Sequence, residues 1–205
     1  MALQPSLRPQ IILGNPDAPH SLDIFLDYVC PFSAKMAFKI DSILKPLITE
    51  GGPYEGQLKV IFRLHVQPWH STSTLTNEAG LAVLHASPET FWKFSLSLFK
   101  HQADYFDVPT QDLTTRQIRE KLAELAAKTL PADAVARFKD LLAFKGAANG
   151  GNAVTDDLKY NIKFGRQNSI HVSPSVLLDG LYQSQIESSW EEIQWKDFLA
   201  NKIVV

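Results

Sequence analysis

The stretch Leu22-Asp23-Ile24-Phe25-Leu26-Asp27-Tyr28-Val29-Cys30-Pro31-Phe32-Ser33 decides the fold. Its first part, Leu22 to Tyr28, is an apolar run of strand length. Leu22, Ile24 and Leu26 fall on one face and Phe25 on the other, as in a strand covered on both sides. Pro31 stands where the first position of a helix tolerates a missing N–H. Ala37, Ile40, Leu44 and Leu47 then recur at helical spacing until Gly51-Gly52-Pro53 stops the element. A strand therefore delivers Cys30, the chain's only cysteine, to the start of a helix.

That placement carries chemistry. The thiolate is the nucleophile, and an ordinary cysteine is only about 3% ionised at pH 7. The unpaired N–H groups and dipole of a helix N-terminus favour an anion, so this position suits a nucleophilic cysteine. The plainer reading of a lone cysteine is a small buried apolar residue.

Upstream, Gln10 to Leu13 reads as a short strand, followed by the turn-rich Asn15-Pro16-Asp17-Ala18-Pro19. Downstream, Leu58 to Val66 is the next strand, completing a strand-helix-strand crossover whose default is parallel and right-handed. Residues 71–168 read as helices. Phe91 to Lys100 is strongly apolar, Ile118, Leu122 and Leu125 follow a Thr114-x-x-Gln117 capping box, and Val135, Phe138, Leu141 and Leu142 form another stripe. The aromatics Phe91, Trp92, Phe94, Phe99, Tyr105 and Phe106 suit either a core or the wall of an apolar pocket. Val172 to Leu178 returns to strand chemistry, Asp179-Gly180 signals a hairpin, and a last helix is expected from Ser189, with Glu192 completing its capping box.

A chain of 205 residues with 45% hydrophobic and 20% charged residues supports one core. Twenty basic against 22 acidic residues leave a net charge of −2 and no positive field for a nucleic-acid backbone. The apolar run Ile11 to Leu13 is too brief for a signal peptide, and no stretch reaches membrane-spanning length, so a cytoplasmic protein with no membrane or nucleic-acid partner is expected. One cysteine excludes an internal disulfide and any dithiol mechanism confined to one chain. Six histidines with no pair at helical spacing offer no metal site.

Two segments carry a family resemblance. Gly14-Asn15-Pro16-Asp17-Ala18-Pro19 with Asp27 to Ser33 resembles the opening of DsbA-like thioredoxin-superfamily proteins, whose usual motif is Cys-Pro-aromatic-Cys. Ile170-His171-Val172-Ser173-Pro174-Ser175-Val176-Leu177-Leu178-Asp179-Gly180 resembles their cis-proline loop and the strand after it. The resemblance spans the chain and implies an α/β thioredoxin fold over residues 1–205, with a large all-helical insertion at 71–168 between the βαβ and ββα halves. It implies Cys30 as nucleophile and a substrate-binding face made of Pro31, Phe32, Ser173 and Pro174.

Two positions depart from that pattern. Ser33 stands where the resolving cysteine belongs, and Ile24 where many relatives carry a buried acid. The Ser33 hydroxyl suits a hydrogen bond to a thiolate or to a glutathione sulfur. The single-cysteine motif is also similar to the kappa-class glutathione transferases and the 2-hydroxychromene-2-carboxylate isomerases, which implies glutathione as the cofactor or thiol partner and a homodimer through the helical caps. His65, Trp69 and His70 lie in a segment resembling the loop that closes one side of such sites, which makes Trp69 a binding candidate. His171, three residues before Pro174, is a second one. The expected function is a monothiol, glutathione-linked thiol oxidoreductase or transferase acting on a small-molecule or peptide thiol. The alternative is a redox-inactive thioredoxin-fold binding module for a peptide or small molecule.

Overall fold

A computed structural model describes residues 3–203. A five-stranded sheet organises the chain: β1 (Ile11–Leu13), β2 (His20–Leu26), β3 (Leu58–Leu64), β4 (Ser175–Leu178) and β5 (Leu181–Tyr182), in the spatial order β1-β3-β2-β4-β5. β2 and β3 are parallel, with Leu22 opposite Val60 and Leu26 opposite Leu64. β1 joins β3, and β4 joins β2, in antiparallel fashion. Asp179 and Gly180, both at positive φ, make the tight turn between β4 and the antiparallel β5.

Helix α1 (Pro31–Lys39) leaves β2 through Cys30, widens into a π-helical stretch at Ile40–Leu44 and ends as α2 (Lys45–Ile48). Pro46 accounts for the widening, because its ring clashes with the carbonyl four residues back, at Ser42, in ordinary α winding.

Between β3 and β4 run α3 (Ser73–Ala86), α4 (Phe91–Lys100), α5 (Asp107–Thr110), α6 (Thr115–Ala126), α7 (Ala132–Leu141) and α8 (Thr155–Gln167). α3 is the pillar of this block, packing against α4, α6, α7 and α8. Its Gly80 is a close-approach position: a Cβ there would stand 2.7 Å from the Tyr28 hydroxyl. Tyr28 in turn pairs with Ser95 Oγ of α4 at 2.7 Å. Phe62 of β3 packs on Tyr28, Phe91, Trp92 and Phe99, so the aromatics of α4 fill the core instead of lining a pocket.

The opposite face of the sheet is covered by α8. Phe25, Leu177, Phe164 and Ile170 form a second apolar cluster there. Beside them Arg63 Nε donates to Asp23 Oδ1 at 2.5 Å, with both side chains fully buried, and the guanidinium lies 4.2 Å from the centre of the Phe164 ring.

Several boundaries differ from the sequence reading. β4 begins at Ser175 and not Val172, since Pro174 has no N–H to give to a ladder. The last helix, α9 (Glu192–Lys202), is capped by Glu191 with Gln194 completing the box, while Ser189 Oγ donates instead to Glu187. Trp190 packs edge-on against Trp195 and Phe198, which fixes the segment before the helix outside it. At α6 the expected box is present: Thr114 Oγ1 accepts from Gln117 N at 3.3 Å and Gln117 Oε1 accepts from Thr114 N at 2.9 Å. Thr114→Ala is expected to cost about 1 kcal/mol, read as a lower urea midpoint at unchanged slope.

Candidate active site

Cys30 is the N-cap of α1, with extended backbone (φ −95°, ψ 120°), and Pro31 occupies the first helical position. The Cys30 carbonyl accepts from Ala34 N at 3.1 Å, closing the first helical turn. Its Sγ donates to the carbonyl of Ser173 at 3.4 Å, and the Ser173–Pro174 peptide bond is cis. Two segments 143 residues apart thus meet at the sulfur. Cys30 itself is 5% exposed, whereas Phe32, Trp69 and Val172 are each more than half exposed. From the turn after α4, Gln102 Nε2 donates to the carbonyls of Tyr28 (2.8 Å) and Cys30 (3.2 Å), tying the helical block to the cysteine loop.

Ser33 is fully buried, and its Oγ accepts from the backbone N–H of Asp27 at 3.2 Å. That bond does not use the hydroxyl hydrogen. Ile24 lies in the core beneath α1, where it brings no ionisable group to the site.

The polar centre of the loop is a residue that pattern reading passed over. Asp27 is fully buried, three residues before the cysteine. Its Oδ1 accepts from Val29 N and Asn77 Nδ2, both at 3.3 Å. Its Oδ2 accepts from Ser73 Oγ at 2.7 Å and Gln67 N at 3.1 Å, and its backbone carbonyl accepts from Cys30 N at 3.1 Å. The side chain therefore joins the cysteine loop, the loop after β3 and the start of α3. The local signal was present in the sequence: an Asp at the end of an apolar strand bonds readily to the N–H two residues on.

Burial pushes the Asp27 carboxyl above its ordinary range, although the Ser73, Val29, Gln67 and Asn77 donors oppose the shift. The folded protein therefore holds this proton to higher pH than the unfolded chain does. Stability from this group is complete below the unfolded value near 3.8 and declines as pH rises through the folded value. In Asp27→Asn this decline should disappear, measured as the wild-type minus variant unfolding free energy from pH 4 to 7.

A family model described as Thioredoxin matches residues 6–195. The chain belongs to the thioredoxin family. Over 128 residues it is 32% identical to disulfide bond formation protein D of Bacillus subtilis, a match covering 62% of this chain and 54% of that relative. The chain thus matches about half the length of that curated relative. Three solved structures share the thioredoxin fold. A Pseudomonas syringae protein provisionally described as a protein-disulfide isomerase has a TM-score of 0.72 at 24% identity, covering 94% of this chain and 99% of that one. BdbD from Bacillus subtilis has 0.61 at 19%, covering 94% and 93%. MdbA, a thiol-disulfide oxidoreductase from Corynebacterium diphtheriae, has 0.62 at 20%, covering 87% and 84%.

Within this thioredoxin-fold scaffold a cleft of about 270 Å³ opens beside the cis-proline loop. The loop after β3 supplies His65 and Trp69, α8 supplies Ile162 and Arg166, and the segment before Pro174 supplies Ile170 and His171. Burial lowers the proton affinity of His65, and the neighbouring His171 lowers it further. His70, next to Trp69, turns away and pairs with Asp107 at 2.9 Å. A larger cavity of about 580 Å³ lies between α6 and α7 and is lined by residues 115–144, none of them from the cysteine or cis-proline segments. Among the described residues no group of three or more His, Cys, Asp or Glu side chains is placed to hold a metal, and no helix is long and apolar enough to cross a membrane.

Proposed function

We propose that the protein is a thiol-disulfide oxidoreductase of monothiol type, with Cys30 as nucleophile and glutathione as the thiol that completes its cycle. The observation that carries this reading is Cys30 Sγ at the N-terminus of α1, facing the Ser173 carbonyl beside a cis proline. The Cys30 thiolate attacks one sulfur of a disulfide. A Cys30–S bond forms, the S–S bond breaks, and the departing thiolate takes up the proton that Cys30 released. With one cysteine in the chain, a second thiol from outside must attack the mixed disulfide and restore Cys30. Ser33 and the Asp27 network hold the loop, while Phe32, Pro31, Ser173 and Pro174 present the surface on which a substrate backbone lies.

Glutathione disulfide should give one covalent adduct per chain by intact mass, reversed by excess glutathione. Absence of an adduct on the folded protein, when the unfolded chain reacts, would overturn the reading. In Ser33→Cys, the two thiols would stand three residues apart on one helical turn, the spacing at which side chains are neighbours. That variant should expel bound glutathione without added thiol and end as an internal disulfide, visible as loss of the adduct mass.

The 5% exposure of Cys30 favours one other reading, a redox-inactive module that binds a peptide or small molecule on the same face. For such a module Cys30→Ser leaves ligand binding intact and glutathione disulfide forms no adduct.

A further inference from the structure

The histidines fall into two groups. His20, His70 and His85 each pair with an aspartate, and the His101 ring bonds to the Ser97 carbonyl. His65 and His171 make no side-chain hydrogen bond or ion pair among the described residues, and they are the two that meet in the cleft beside the cis-proline loop. Arg166 lines the same cleft and likewise has no ion-pair partner there among the described residues, and no carboxylate is among the lining side chains. A chain of net charge −2 thus places one guanidinium and two imidazoles, none of them paired among the described residues, in one small concavity.

Two of the segments that line the cleft also lead to the residues that hold the reactive sulfur. His171 lies two residues before Ser173, whose carbonyl receives the Cys30 Sγ hydrogen bond. In the loop that supplies His65 and Trp69, the buried Gln67 N bonds to Asp27, whose carbonyl holds Cys30 N. We propose that this cleft is an anion subsite which selects carboxylate-bearing thiols and disulfides for Cys30. It rests on the reading of Cys30 as a reactive thiol. The planar guanidinium of Arg166 suits a carboxylate through paired, charge-assisted N–H donors, and a neutral imidazole still offers one ring N–H donor. Trp69, Ile162 and Ile170 offer apolar walls to the methylene stem that joins such a carboxylate to its sulfur. At about 270 Å³ the cleft holds one short acidic arm, which either a glutathione carboxylate or an acidic side chain beside a peptide cysteine supplies.

The test compares symmetrical disulfides of similar size on the full chain: 3,3′-dithiodipropionate (anionic), bis(2-hydroxyethyl) disulfide (neutral) and cystamine (cationic), with Cys30 adducts followed by intact mass. The anionic reagent should react about tenfold faster than the neutral one at low salt, a ratio equal to about 1.4 kcal/mol. Cystamine should be slower than both, and the spread should narrow as salt is raised. In Arg166→Gln the anionic-to-neutral ratio should fall towards one, whereas Lys93→Gln, which changes an exposed basic residue on α4 outside the cleft, should keep it. Equal wild-type rates, or a ratio that survives Arg166→Gln, would overturn the subsite.

Binding alone is tested on Cys30→Ser, so that a failure of the thiol reading is distinguished from a failure of the subsite. Succinate should shift the imidazole resonances of His65 and His171 to saturation, and Arg166→Gln should abolish the effect. Flat resonances sink the subsite whatever Cys30 does. Glutathione disulfide against a Glu-Cys-Glu peptide disulfide then shows which source of carboxylate is preferred.

Discussion

Arg63→Met is expected to destabilise the protein by about 3–5 kcal/mol, because it leaves the Asp23 carboxylate buried without its counter-charge. Asp23→Leu alone should cost a similar amount for the mirror-image reason. The double variant Asp23→Leu/Arg63→Met should recover most of the loss and equal or exceed wild type. Both side chains are fully buried, and their single hydrogen bond joins Nε to Oδ1. Arg63 Nη1, Arg63 Nη2 and Asp23 Oδ2 are buried with no hydrogen-bonding partner among the described residues. A pair satisfied on one edge alone does not offset the full desolvation of two ions, so apolar replacements of similar volume beside Phe25 and Phe164 should pack at no net loss. Urea unfolding of the four proteins closes the cycle, and a coupling energy near zero would mean that the two groups do not act as a buried ion pair.

Cys30→Ser is expected to reduce glutathionylation and disulfide exchange to the background of a chain with no thiol, while the fold persists. The hydroxyl keeps a donor for the Ser173 carbonyl and fits the N-cap position, at which serine is favoured. Stability should therefore stay within about 1 kcal/mol of wild type. Cys30→Ala removes the bond to Ser173 and, unlike serine, offers no hydroxyl to cap α1, so it should cost about 1 kcal/mol more than Cys30→Ser. An exchange rate that survives Cys30→Ser would remove the sulfur from the mechanism altogether.

The parts of the structure legible in the sequence were those whose signals are local and mutually consistent. An apolar strand, a cysteine and a proline at the first helical turn lie within a dozen residues, and the Thr114 box marks α6 through two side chains on one turn. The Asp179-Gly180 turn was legible for the same reason. The start of α9 was not, since a Ser-x-x-Glu pattern at Ser189 competed with a tertiary contact, the packing of Trp190 on Trp195 and Phe198. The Asp27 network draws its donors from three separate elements, and the cleft draws its basic groups from the loop after β3, from α8 and from the cis-proline segment. Such assemblies leave no periodic trace along the chain, and only the folded arrangement of the insertion on the sheet brings them together.

The two outer strands also bear on how this molecule behaves in a crowded solution. β5 is two residues long, with Leu181 and Tyr182 both exposed, and β1 is three residues long with a break in register between Ile11 and Leu13. An incoming chain that tried to extend the sheet would find a ladder too short at one margin and irregular at the other. The molecule can therefore display the sticky side chains of β5 at its rim without offering the continuous backbone template from which fibrils grow.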